Sequence, residues 1–313
     1  MRIVSLLPSA TEMLFAIGAG DMVVATTHEC DYPPQATSLA RVTSNALDHD
    51  GASPATIDRH IKRALHNGSS IYHLDEQLLR ELRPDLIVTQ ELCEVCAVSY
   101  GQVQRAVRTL AGDTPVLSLE PRSLDDILVT ALVLGEATGC GEGAGDLVRS
   151  LRRRIEAVDR ATSRRDDERP RVVCIEWTDP LMVGGHWIPE MVGRAGGCDV
   201  LGTAREASQY VEWTTVCEAD PNAMVLMPCG YDLEATCAVA DEVIGRPGFD
   251  QLTCARDGRV VAVDGSAYFN RPGPRIVDGL EILAQVLAMD PGTTLRAGAR
   301  WLQVPTSISA HDN

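Results

Sequence analysis

Short apolar runs alternate with amphipathic segments along most of the chain. The apolar runs are typical of buried strands; they are MVVAT, LIVT, PVLSL, RVVCIEW, AMVLM and RVVAV. Between them, apolar residues return every three or four positions, as in PATIDRHIKRALHNG and IVDGLEILAQVLAM, which is the spacing of an amphipathic helix. Strands that alternate with helices predict βαβ units and a mostly parallel sheet.

This alternation is interrupted in the middle of the chain. One helical stretch runs from Ser123 to about Ala161, broken only at Gly139-Cys140-Gly141, and a charged run typical of a solvated linker follows it. The predicted fold class is therefore α/β, with two Rossmann-like lobes joined by a single long backbone helix. The predicted parts are an N-terminal α/β lobe, a connecting helix with its linker, and a C-terminal α/β lobe, over residues 1–121, 122–168 and 169–313.

The first helix carries a start signal of its own. Ser9-Ala10-Thr11-Glu12 is a capping-box pattern, in which the Ser9 hydroxyl accepts a bond from a backbone N–H while Glu12 reaches back. Gly18 follows, as the left-handed turn after a helix prefers. The sequence therefore predicts a helix that is capped by Ser9.

Charge excludes some classes of partner. The chain of 313 residues has 44 acidic and 28 basic side chains, a formal net charge of −16. Such a surface repels nucleic-acid phosphates and anionic lipid, and no apolar run is long enough to insert into a membrane. Pro8 and Glu12 stand where a secretory signal would need its apolar core. We therefore expect a cytoplasmic protein, or a periplasmic or cell-surface protein if a leader was removed.

Four of the ten cysteines follow predicted strands: Cys30, Cys93, Cys96 and Cys229. Ligands of parallel α/β sheets bind at the carboxyl ends of the strands, so these sulfurs could converge there. Thiolates in that number suit zinc or an iron–sulfur cluster, and His28 and Glu29 could support them. A redox dithiol at Cys93 and Cys96, or a set of inert thiols, is an open alternative.

Several segments together resemble one family. They are LLPSATEMLFAIG, THECDYP, LRPDLIVTQ, IEWTDPLMVGGHWIPEMVGRAGG and YFNRPGPRIVDGLEILA, and they cover nearly the whole chain. The chain resembles the helical-backbone (class III) solute-binding proteins, and most closely the cobalamin-binding proteins of ABC importers. The resemblance implies a ligand cleft between two lobes, little hinge motion on binding, and an ABC permease as partner if the protein is exported.

The resemblance also implies ligand contacts. Relatives hold the corrinoid between aromatic side chains, whose rigid faces provide apolar area. By position in the matching motifs, the contacts in the second lobe are Trp177 with Glu176, and Tyr268, Asn270 and Arg271 of the YFNRPGPR loop. Loop context alone adds Tyr32 and Trp213. A tryptophan that ends a strand more often packs in the core, and Arg275 is expected to pair with acidic neighbours.

Two functions from different classes follow. The first is a protein that binds a corrinoid, such as cobalamin, or a similar bulky ligand. The alternative is a cytosolic protein that uses the four cysteines to bind a metal or an iron–sulfur cluster, with a redox or enzymatic role; a structural zinc is a further variant. The chain contains no glycine-rich phosphate loop, serine nucleophile elbow or HExxH motif, which favours binding over catalysis.

Overall fold

The computed structural model describes residues 1–45, 51–66, 72–90, 114–162 and 168–304. The chain divides into two compact units, each with its own sheet. The first contains Met1–Pro121, Asp125–Arg152 and Pro272–Pro274, and the second contains Arg122–Leu124, Arg153–Arg271 and Arg275–Asn313. The fold class is α/β, as predicted.

The first unit is built on a parallel sheet of five strands in the order β3-β2-β1-β6-β7. Its strands are β1 (Ile3–Ser5), β2 (Val23–Thr26), β3 (Ala40–Arg41), β6 (Leu86–Thr89) and β7 (Val116–Ser118). A separate antiparallel pair joins β4 (Thr43–Asn45) to β5 (Tyr72–Leu74). Every residue of β6 is buried, as in a strand that is covered on both faces.

The described helices of the first unit that precede the middle of the chain are α1 (Pro8–Ala16), α2 (Pro54–His66) and α3 (Glu76–Leu82). The predicted capping box of α1 is wrong. The helix begins at Pro8, a residue suited to the first turn, and no side chain caps it. Ser9 and Glu12 instead lie inside the helix and are buried. The segment GQVQRAVRTLAGD also has the apolar spacing that predicts a helix, and this segment, at residues 101–113, lies outside the described residues.

The long helical stretch forms α4 (Leu124–Thr138) and α5 (Gly141–Ala161). The break falls at the predicted glycines, because Gly139 adopts a φ of +74° that ends a helix. Near the start of α5, a Cβ at Gly143 would lie 2.2 Å from the carbonyl oxygen of Ile17, so only glycine fits there. Residues up to Arg152 belong to the first unit and the rest of α5 belongs to the second.

The second unit has a mixed sheet in the order β11-β9-β8-β12-β13-β14, with β10 also paired to β8. The strands are β8 (Arg171–Thr178), β9 (Leu181–Val183), β10 (Cys198–Asp199), β11 (Gln209–Tyr210), β12 (Ala223–Leu226), β13 (Val260–Val263) and β14 (Ala299–Trp301). The central pairings of β8, β12 and β13 are parallel. Strands β9, β11 and β14 pair antiparallel, an addition that the alternating pattern did not predict.

Short helices cover this sheet: α6 (Ile188–Arg194), α7 (Trp213–Ala219), α8 (Leu233–Val239), α9 (Asp241–Ile244), α10 (Thr253–Arg256), α11 (Gly265–Tyr268) and α12 (Ile276–Ala288). The apolar spacing of DLEATCAVADEVIG predicts a single helix, but the segment forms α8 and α9 with Ala240 between them. On one face of the sheet, Val173, Leu226 and Phe249 belong to a single buried cluster. No described helix is both long and apolar enough to cross a membrane.

Candidate ligand-binding site

The carboxyl ends of the parallel strands in the second unit form one continuous surface. The loop after β12 returns to β8, because the Cys229 amide donates to the Glu176 carbonyl at 3.1 Å. The loop after β13 then contacts it, since the Ser266 amide donates to the Tyr231 carbonyl at 3.0 Å. This surface is the edge at which ligands of parallel α/β sheets bind, and we call it the ligand edge.

Trp177 lies at this edge and is mostly buried, with 9% of its surface exposed. Its indole Nε1 donates to the Asp179 carbonyl at 3.0 Å. Its ring meets that of Tyr231 edge to face, with the centroids 5.6 Å apart. Trp177 is therefore held in one orientation and leaves only a small part of its ring to a ligand. Tyr231 was missed in the sequence, although it follows Cys229 in the same strand-end loop.

Glu176 is an acidic group of the ligand edge. Its Oε2 accepts a hydrogen bond from the Ser208 hydroxyl at 2.8 Å, and that hydroxyl oxygen accepts one from the Gly185 amide at 3.2 Å. Burial raises the pKa of Glu176 to about 7, because removal from water disfavours the carboxylate more than these bonds favour it. Near neutral pH this carboxyl group can therefore either donate or accept a hydrogen bond.

Arg246 connects Trp213 to the ligand edge. The Trp213 ring stacks on Phe249 at 6.2 Å, and its Nε1 donates to the Pro247 carbonyl at 2.8 Å. The Arg246 guanidinium lies 5.7 Å from the Trp213 ring centroid and donates through Nη2 to the Thr178 carbonyl at 2.7 Å. Thr178 directly follows Trp177, so these contacts connect the two tryptophans.

The loop after β13 is positioned by Asp264, whose Oδ1 accepts a bond from the Ala267 amide at 2.7 Å at the start of α11. The Tyr268 ring lies beside Gly298, and the Arg275 guanidinium stands 5.7 Å from its centroid. Both of these contacts of Tyr268 lie within its own unit. Tyr268 is partly exposed.

Asn270 and Arg271 follow in this loop, and both are partly exposed. The backbone N–H of Asn270 donates to the Gly265 carbonyl at 2.8 Å. The side-chain Oδ1 of Asn270 is buried and finds no hydrogen-bond partner among the described residues. Arg271 belongs to the second unit, but the three residues after it belong to the first, where Gly273 lies against Ser9 and Glu12. One part of the loop therefore packs in the first unit, and the part with Asn270 and Arg271 belongs to the ligand edge of the second.

In the first unit, Tyr32 follows β2 and is 44% exposed. A small pocket lies where β1, β6 and β7 end, and its walls include Leu7, Gln90 and Leu119. Both features stand at the carboxyl edge of the first sheet, where the sequence predicted ligand contacts.

The cysteines do not form a metal site in the described part of the chain. Cys30 is fully buried, and its Sγ lies 3.2 Å from the Thr11 hydroxyl and 3.1 Å from the Thr27 hydroxyl. Cys229 is partly exposed in the second unit, and Cys93 and Cys96 lie outside the described residues. Among the described residues, no group of three or more His, Cys, Asp or Glu could hold a metal ion.

Comparison with known proteins agrees with the predicted resemblance. The vitamin B12-binding protein of Vibrio cholerae is 25% identical over 284 residues, which cover 90% of this chain and 86% of the relative. The ABC transporter substrate-binding lipoprotein YvrC of Bacillus subtilis is 23% identical over 295 residues, or 92% of this chain and 80% of the relative. These relatives lend no support to a cytoplasmic location or to an iron–sulfur site.

The fold recurs in solved structures. The periplasmic vitamin B12-binding protein BtuF of Vibrio cholerae matches with a TM-score of 0.65 and 21% identity, covering 91% of this chain and 96% of that one. The periplasmic heme-binding protein RhuT of Roseiflexus matches with a TM-score of 0.68 and 20% identity, covering 91% and 97%. Residues 3–267 match the periplasmic binding protein family over most of the chain. The chain belongs to the periplasmic binding protein family.

Proposed function

We propose that this protein binds a corrinoid, such as cobalamin, at the ligand edge of its second unit. The observation that carries the proposal is the aromatic group at the end of β8, where Trp177 meets Tyr231 and is connected to Trp213 through Arg246. Rigid aromatic side chains provide apolar contact area at little cost in conformational entropy, which suits a large ring ligand. The relatives named for vitamin B12 support the same ligand class.

The polar groups of the edge suit the rim of a corrin. The corrin ring carries amide side chains, each with both a donor and an acceptor, and Glu176 can serve either because its pKa lies at about 7. Tyr268, Asn270 and Arg271 add further donors in the neighbouring loop, as the resemblance implies. Ring contact would thus provide affinity, and these groups would fix the orientation of the ligand.

The test is a calorimetric titration of the purified protein with cyanocobalamin. We expect Trp177→Leu, which keeps apolar volume but removes the indole, to raise the Kd by about tenfold or more. Trp301→Phe is the matched control, because Trp301 pairs with Val261, away from the carboxyl end of β13. Its Kd should stay within about twofold of the wild type.

Two results would count against the proposal. One is an absence of cyanocobalamin binding to the wild type, with hemin bound instead, which would assign the edge to a different tetrapyrrole. The other is an equal effect of Trp177→Leu and Trp301→Phe on the Kd, which would place the ligand elsewhere.

We further propose that the protein works outside the cytosol and delivers its ligand to an ABC permease. The support is the description of one relative as an ABC transporter substrate-binding lipoprotein, and of others as periplasmic. Deletion of the gene should lower the uptake of cyanocobalamin by its host at limiting concentration. Wild-type protein should restore uptake and the Trp177→Leu variant should not; unchanged uptake in the deletion strain would reject this role.

A further inference from the structure

Arg246 is a cation of the ligand edge, and the acidic residue that stands one helical turn before it in sequence is engaged elsewhere. Glu242 stands four residues before it, a spacing that commonly gives a Glu–Arg pair on a helix. Helix α9 ends at Ile244, however, and the Glu242 carboxylate accepts a hydrogen bond from the Thr178 hydroxyl at 2.5 Å. In the described part of the chain, Arg246 forms no salt bridge.

The hydrogen-bonding capacity of this guanidinium is largely unused. A guanidinium offers five N–H donors in a planar fork. The Thr178 carbonyl accepts one of them at 2.7 Å, while Nε is buried and has no acceptor among the residues that the structure describes. A charged donor that is buried without an acceptor costs free energy. The side chain as a whole is partly exposed, so an acceptor can approach the guanidinium from solvent.

The two groups that hold the Arg246 guanidinium in place, the Thr178 carbonyl and the Trp213 ring, are themselves fixed. The Thr178 carbonyl ends a paired strand, and the Trp213 ring beneath the guanidinium is fixed by its stacking on Phe249 and its bond to the Pro247 carbonyl. The charge is therefore in place before a ligand arrives, in a chain with an excess of acidic residues. Phosphate and carboxylate groups match such a planar donor fork with two parallel bonds.

We propose that Arg246, on the face of Trp213, forms an oxyanion subsite that recognises a phosphate or carboxylate group of the bound ligand. The inference rests on the proposed function, because it places the subsite on the same ligand edge. The nucleotide loop of cobalamin carries a phosphodiester, and heme carries two carboxylates, so the chemistry that Arg246 recognises is shared by both.

The first experiment uses inorganic phosphate and needs no knowledge of the ligand. Thermal unfolding is measured in phosphate and in chloride at equal ionic strength. We expect about 50 mM phosphate to raise the Tm of the wild type by about 2 °C or more, and to leave that of Arg246→Gln unchanged. Arg246→Lys, which keeps the charge, should retain part of the shift. The matched control is Arg256→Gln, since Arg256 is exposed on α10 and, among the described residues, donates a hydrogen bond only to the Thr253 hydroxyl of the same helix.

The second experiment compares cyanocobalamin with cobinamide, which lacks the nucleotide loop and its phosphate. Arg246→Gln should weaken cyanocobalamin binding by about tenfold and leave cobinamide binding within about twofold. If hemin is the tighter ligand, hemin and its dimethyl ester replace the corrinoid pair, and the variant should discriminate between them in the same way.

The outcomes separate the two proposals. A phosphate effect that depends on Arg246, without corrinoid or hemin binding, would support the subsite and reject the proposed ligands. Corrinoid binding to which Arg246→Gln makes no difference, together with equal phosphate shifts in variant and wild type, would reject the subsite and leave the proposed function in place. Unfolding by urea shows whether each variant is folded. If Arg246→Gln does not fold, Arg246→Lys replaces it in both experiments.

Discussion

Burial determines the protonation of Glu176 and therefore the pH dependence of stability. The pKa of this carboxyl group rises from 4.5 to about 7 on folding, so the folded chain holds a proton that the unfolded chain has released between these values. Its contribution to stability is complete below about pH 4.5 and is lost as the pH rises through about 7. The Glu176→Gln variant cannot titrate at this position. We therefore expect the wild type to lose about 1–3 kcal/mol more unfolding free energy than the variant when the pH is raised from about 5 to about 8.

Urea unfolding of both proteins at the two pH values measures this difference. Glu234→Gln is the control, because the Arg300 guanidinium holds the pKa of Glu234 below its ordinary value and the group does not titrate in this range. Parallel pH profiles for the wild type and Glu176→Gln would show that the Glu176 carboxyl group is ionised in the folded protein at pH 5.

Thiol reactivity should follow burial in the same way. Cys198 is exposed, whereas the Sγ of Cys30 is enclosed between two hydroxyl groups. We expect Ellman's reagent to modify Cys198 promptly in the folded protein and to reach Cys30 only after unfolding, since reaction needs an accessible thiolate. Mass spectrometry of the wild type, Cys198→Ser and Cys30→Ser assigns the modified sites. Rapid native modification of Cys30 would mean that its loop opens and exposes the thiol.

These residues show which parts of the site a sequence can predict. Trp177 could be predicted as a candidate contact because it ends an apolar strand in a recognisable motif, and its role there stays a prediction. Ser208 and Arg246 were missed, because their partners Glu176 and Thr178 lie more than thirty positions away and the pairing exists only after folding. The burial of Cys30 was likewise hidden, since its neighbours come from a helix and a loop that the chain alone does not bring together.

Among the elements, α5 and α12 are connected by Arg154. Its guanidinium donates to Glu281 at 2.8 Å and to Asp278 at 2.5 Å, and Arg296 also pairs with Glu281. We expect Arg154→Gln to lower the free energy of unfolding by about 1–2 kcal/mol, because two partly buried carboxylates lose their shared cation. Tryptophan fluorescence during urea unfolding measures the change.

Arg153→Gln is the control for this prediction, since Arg153 lies next to Arg154 but is exposed to solvent. High salt should reduce the difference between Arg154→Gln and the wild type, as expected for an ionic contact. If both variants unfold alike, the contacts of Arg154 add nothing to stability.

The elements themselves were predictable where apolar periodicity was long. The core strands and α12 follow directly from it, because a buried face needs a regular apolar pattern. The short antiparallel strands β9, β11 and β14 were not predicted, because two or three residues are too few to establish an alternation. The start of α1 was misplaced since a buried serine and a capping serine look the same in sequence.

At the scale of the whole molecule, α5 is the element that both units share. Leu151 is buried in its first part and Ile155 in its second, so each half of the helix is packed in its own unit. Proline at Arg152 would remove a backbone donor from the helix interior and clash with the preceding turn. We expect Arg152→Pro to cost about 3 kcal/mol or more in unfolding free energy, and the exposed Arg152→Ala change to cost almost nothing.

The Arg152→Pro variant also tests whether the stability of one unit depends on the other, because all four tryptophans lie in the second unit. They are Trp177, Trp187, Trp213 and Trp301. Fluorescence therefore reports the second unit, whereas far-UV circular dichroism reports the helices and strands of both. If α5 transmits stability along its length, Arg152→Pro lowers the urea midpoint by both signals, although Arg152 belongs to the first unit. A shift in circular dichroism with an unchanged fluorescence midpoint would show instead that the second unit folds independently of the first half of its own helix.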